Sequence, residues 1–70
     1  MNELVFDVVQ EADGGYCAEC LTESIVTEGN TWDELKTNVR EAVKGYYFDQ
    51  LEKQAVSIRL HLVRDEVLAA

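Results

Sequence analysis

The chain has 70 residues, 47% of them apolar, and carries fourteen acidic against six basic side chains, a net charge of −8. A chain this short forms one domain and buries only roughly 60% of its unfolded surface, so a deep ligand pocket is not expected. The negative field disfavours direct binding to nucleic acid or to an anionic membrane. With no basic signal sequence and no apolar run of about 20 residues, we expect a cytoplasmic protein.

Short alternating segments fill the first part of the chain. Residues 3–10 alternate between two faces and predict the first strand. Gly14 and Gly15 are suited to the positive φ of a hairpin turn, and Tyr16–Cys20 then predicts the second strand. Residues 25–28 predict a short third strand. Together these segments predict an antiparallel meander.

A capped helix begins at Thr31, after Gly29 turns the chain. The Thr31 hydroxyl can accept a hydrogen bond from the first turn, and Glu34 can reach back to the Thr31 N–H, which completes a capping box. An apolar stripe at helical spacing follows: Trp32, Leu35, Val39, Ala42, Val43 and Tyr46. We expect this helix to end between Tyr47 and Leu51.

Two residues inside the helix are unusual for their positions. Gly45 costs roughly 1 kcal/mol relative to alanine, which suggests close packing or a weak last turn. Asn38 is a polar residue beside the apolar stripe, and we expect its side chain to hold a neighbouring backbone group.

The last strand is predicted at residues 55–63, the cleanest alternation in the chain. The whole is therefore an α+β fold of order ββ-β-α-β, a small antiparallel sheet with one helix packed on one face. We expect residues 1–70 to form a single domain.

One helix leaves the second face of the sheet uncovered, and consecutive aromatic residues at the helix end cannot all be buried. The residues that we expect at an interface are Val5, Val9, Val63, Tyr47 and Phe48. A homodimer or higher homo-oligomer is the commonest way to cover such apolar surface.

The stretch GGYCAEC…IVTEGNTWDELKTNVREAVKGYY resembles the HicB-like antitoxin family of toxin–antitoxin systems. The matching positions keep the family spacing over roughly residues 4–48. They are Gly14, Gly15, Tyr16, Ala18, Glu19, Cys20, Thr27, Gly29, Thr31, Glu34, Asn38, Glu41 and Ala42. The resemblance implies a fold akin to double-stranded-RNA-binding or degraded ribonuclease H domains. It also implies a protein that binds and masks a small basic HicA-like toxin ribonuclease.

The chain departs from the family pattern in two places. Leu21–Ser24 stands where the family commonly has proline and a small residue. Many members continue into a C-terminal DNA-binding domain, whereas this sequence stops at Ala70, so we do not carry DNA binding over to it.

No set of residues forms an evident catalytic, cofactor or metal site. Cys17 and Cys20 fit C-x-x-C, but on one strand they face opposite sides of the sheet, and a zinc site needs four ligands. His61 is the only histidine and has no acid or nucleophile beside it in sequence. The acidic residues Asp7, Glu28 and Glu34 could suggest a ribonuclease H-like metal site, but acidic residues are more often solvated.

Three classes of function remain. A HicB-like protein-binding module is the leading hypothesis. The alternative is a self-associating structural or scaffolding domain with no toxin partner. An enzyme or enzyme subunit is the third, and we expect no enzymatic activity and no cofactor.

Overall fold

The computed structural model describes residues 3–50, 57–64 and 67–70. Four strands and one helix lie within these residues and confirm the predicted α+β class and the order of its elements. Their bounds are β1 Glu3–Gln10, β2 Tyr16–Cys20, β3 Val26–Gly29, α1 Trp32–Tyr46 and β4 Ser57–Val63. Residues 55 and 56 of the predicted last strand lie outside the described residues. None of the described helices is long and apolar enough to cross a membrane.

The sheet is mixed, whereas an antiparallel sheet was predicted. Its strand order is β3-β2-β1-β4, with β1, β2 and β3 forming the expected antiparallel meander. Strand β4 pairs in parallel with β1, from Glu3 opposite Ser57 to Val9 opposite Val63. The helix between β3 and β4 explains the parallel pairing. It returns the chain to the end of the sheet where β1 and β3 begin, so β4 runs in the same direction as β1.

The core lies between α1 and the face of the sheet beneath it. Alternate residues of β1 and β2 meet the buried stripe of the helix there, as the periodicity predicts. The buried residues are Leu4, Phe6, Val8, Ala18, Cys20, Ile25, Leu35, Val39, Val43 and Tyr47. Ile58 and Leu60 of β4 pack only partly against this cluster.

The end of the helix differs from the prediction. Tyr47 caps the helix and is only 6% exposed, so it belongs to the core and must be removed from the predicted interface. Tyr46, predicted in the apolar stripe, is exposed, and its hydroxyl donates to Glu23 Oε2 at 2.9 Å. Phe48 is 74% exposed, which confirms that at least one of the three aromatic residues lies outside the core.

Two predicted side-chain contacts hold α1 in place. Thr31 is the N-cap, and its hydroxyl accepts from the Glu34 N–H at 3.1 Å. The Asn38 side chain donates to the Glu28 carbonyl oxygen at 2.7 Å, which ties the middle of the helix to strand β3. Asn38 therefore has the structural role that was expected of it.

Gly14 and Gly15 form the predicted hairpin turn, whereas the roles of Gly29 and Gly45 differ from the prediction. Gly14 alone has the positive φ of the hairpin turn, +94°, whereas Gly15 makes the turn through its N–H to Asp13 Oδ1 at 3.0 Å. Gly29 is the buried last residue of β3, not a turn residue. A Cβ atom there would lie 2.5 Å from the Leu35 nitrogen, so only glycine allows this approach of helix to strand. Gly45 has open space around it, which rules out close packing as its reason.

We predict that substitution by alanine has opposite effects on stability at Gly29 and at Gly45. Gly29→Ala should lower the free energy of unfolding by about 1–3 kcal/mol, since the new methyl group meets helix backbone that cannot move aside. Gly45→Ala should raise it by about 0.5–1 kcal/mol, because the helix gains propensity without a clash. Urea unfolding of both variants measures this, and an unaffected Gly29→Ala variant would contradict the close approach.

Candidate functional site

The candidate site is the face of the sheet opposite α1, called the open face below. No element of the described residues packs on it. It is formed by the side chains that alternate with the core residues: Glu3, Val5, Asp7, Val9, Cys17, Glu19, Val26, Glu28, Arg59, His61 and Val63. The site was predicted from Val5, Val9 and Val63, and all three lie on this face.

Side-chain contacts join β1 and β4 across one half of the open face. Arg59 donates from Nε and Nη2 to the two carboxylate oxygens of Glu3, at 3.1 and 3.2 Å. This contact raises the pKa of Arg59. His61 Nδ1 lies 3.3 Å from Asp7 Oδ1 on the directly opposite residue of β1. His61 thus contacts an acid that sequence spacing could not reveal, because 54 residues separate the two.

The part of the open face that β1, β2 and β3 form is acidic. Asp7 and Glu19 are directly opposite each other on β1 and β2, on the same face. Like charges in this arrangement destabilise a sheet, and no basic side chain of the described residues forms an ion pair with Glu19. Glu28, exposed on the neighbouring β3, adds a further carboxylate. These strands therefore present a cluster of carboxylates on the open face.

Cys17 lies among these carboxylates. Burial raises the pKa of its thiol, and the charges of Glu11, Glu28 and Glu19 raise it further. Raised pKa values make a thiol less reactive at neutral pH. Cys20 is buried on the helix side, so the two cysteines face opposite sides of the sheet, as predicted, and both are free thiols.

Apolar side chains lie between the charges. Val9 is 49% exposed and Val26 64%, and both line a shallow depression of ≈ 450 Å³ together with Val63, Cys17 and the carboxylates. Val26 was not predicted as an interface residue. Its alternation with Ile25 and Thr27 in the sequence could have placed it on the face opposite the core. Phe48 lies outside this depression.

The acidic residues suggested by a ribonuclease H-like site do not come together. Asp7 lies on the open face, whereas Glu34 lies in the first turn of α1 on the other side of the sheet. Glu28 and Glu34 do line one cleft of ≈ 420 Å³ beside the Asn38 contact. Among the described residues, no group of three or more histidine, cysteine or acidic side chains is arranged to hold a metal ion.

Fold and site together define a small α+β protein with a one-sided core and an acidic, partly apolar open face. A UPF0150 protein of Thermotoga maritima is 39% identical over 68 residues, 97% of this chain and 93% of the relative. A UPF0150 protein of Archaeoglobus fulgidus is 38% identical over 53 residues, 76% and 79% of the two chains. The chain belongs to the UPF0150 family. No family model matches it, and no solved structure does.

We predict that Glu19→Lys stabilises the fold. The new ammonium group would face Asp7 across the two strands and replace a repulsion by an attraction, a gain of about 0.5–1 kcal/mol that salt should reduce. The pKa of Cys17 should fall at the same time, because one of the charges that raise it is reversed. Urea unfolding and the pH dependence of thiol alkylation measure the two effects.

The control is Glu41→Lys, which makes the same charge change on the exposed side of α1. The Glu41→Lys substitution should leave the pKa of Cys17 unchanged. A Glu19→Lys variant less stable than the wild type would show that Glu19 and Asp7 do not repel each other.

Proposed function

We propose that this chain is a protein-binding module of the HicB antitoxin type, whose open face covers a basic surface of a small toxin ribonuclease. The observation that carries the proposal is the pair Asp7 and Glu19, held directly opposite each other on a face that nothing in the described residues covers. A positive side chain from a partner would relieve this repulsion on binding.

The composition of the open face supports a protein partner. Interfaces combine an apolar centre with charged groups that set the register, and Val9 and Val26 lie beside the carboxylates here. The net charge of −8 favours encounter with a basic partner.

The antitoxin role rests on the sequence resemblance to HicB-like proteins over roughly residues 4–48. A basic ribonuclease must expose cationic groups to hold RNA phosphates, and an acidic face of this kind would compete for them. Blocking by occupation of the RNA-binding surface needs no catalysis by this chain.

The test is co-expression with a small basic protein encoded next to this chain, whose presence the proposal predicts. That protein alone should arrest growth, and the wild-type chain should restore it. Glu19→Lys should fail to restore growth and should weaken the purified complex about tenfold or more, since it sets like charges against each other. Higher salt should weaken the wild-type complex as well.

Glu41→Lys is the matched control and should restore growth as the wild type does. The absence of any small basic neighbour, or full rescue by Glu19→Lys, would overturn the proposal.

A further inference from the structure

Strand β4 forms an edge of the sheet, and no described strand pairs with its outer side from Ile58 to Val63. It lies at the end of the strand order β3-β2-β1-β4 and runs from Ser57 to Val63. An unpaired edge is a template for another strand, and proteins usually protect it with proline, lysine or a bulge. β4 contains neither proline nor lysine.

The two faces of β4 are also poorly covered. Ile58 and Leu60 are only partly buried on the helix side, and Leu62 beside them is 42% exposed. Val63 is 39% exposed on the open face. A strand in parallel pairing is usually covered on both faces, so β4 lacks the surroundings that its pairing commonly has.

Charge decides what can approach this edge. The chain carries fourteen acidic residues, yet β4 contains none. The charge of Arg59 is paired with Glu3, and His61 contacts Asp7 of β1. The opposite edge is different, because β3 has only four residues and exposes Glu28. Two chains of net charge −8 meet with least repulsion at β4.

We propose that β4 is the contact between two copies of this chain, which pair through it in antiparallel fashion about a two-fold axis. With Leu60 near the axis, Ile58 of one copy faces Leu62 of the other, and a continuous apolar strip forms on the helix side. The four strands of each copy then join into one sheet. Both open faces stay accessible, so this contact is independent of the partner proposed above.

The test is the mass of the purified chain by sedimentation equilibrium at micromolar concentration, in low and high salt. We expect a monomer–dimer equilibrium with twice the 7.9 kDa chain mass at saturation, strengthened by salt because the net charges repel. Leu62→Glu should raise the dimer dissociation constant about tenfold or more, since it places two carboxylates in the apolar strip.

Val26→Glu is the matched control, an exposed apolar residue changed to the same acid on the opposite edge. It should leave the dimer unchanged. A dimer that Val26→Glu disrupts and Leu62→Glu does not would place the contact on the other edge and overturn the proposal, as would a strict monomer at every salt concentration.

Hydrogen exchange of the wild-type chain tests the contact without any substitution. Amides of β4 that face outward should exchange more slowly as protein concentration rises, while those of β3 should not change. Exchange of β4 that is independent of concentration would contradict the proposal even if Leu62→Glu failed to fold.

Discussion

The rest of the structure depends on the close approach of α1 to β3. Gly29 has no side chain, so the backbone of Leu35 lies directly against the end of the strand. The Thr31 cap starts the helix two residues later, and the Asn38 side chain holds its middle turn to the Glu28 carbonyl. The helix is thereby fixed over the β3 and β2 side of the sheet, where Ala18 lies buried beneath it. A single helix in that position cannot also cover β4 or the opposite face.

Both proposed contacts follow from what the helix leaves uncovered. The open face places Asp7 opposite Glu19, and like charges in this arrangement generally destabilise a sheet. The edge of β4 is free of acids and its Arg59 is paired with Glu3, so it suits a second copy of an acidic chain. The acidic open face thus suits a basic partner, and the β4 edge suits a second copy of the chain. Burial raises the pKa of the Cys17 thiol, and the charges of Glu11, Glu28 and Glu19 raise it further, so a change of charge at Glu19 can be followed at this thiol.

Much of the fold could be predicted because it depends on local pattern. Alternation located β1 and β2 and assigned their faces, and the Thr31 cap located the helix. The parallel direction of β4 follows from the helix between β3 and β4 and could have been predicted from the order of the elements, whereas its place beside β1 could not. The environments predicted for Tyr46 and Tyr47 were the reverse of the observed ones. The helix ends beside Glu23, which accepts a hydrogen bond from the Tyr46 hydroxyl, and Tyr47 lies in the core. The cross-strand contacts of the open face depend on register, so Asp7 with Glu19 and His61 with Asp7 could not be seen in the sequence.

The central claim is that partner binding takes place on the open face. Amide chemical shifts of the labelled chain, followed while a small basic partner protein is added, test it most directly. The account predicts shifts that concentrate at Asp7, Val9, Glu19 and Val26, with the exposed side of α1 around Glu41 unchanged. Shifts that concentrate on α1 and leave β1 and β2 unaffected would contradict it.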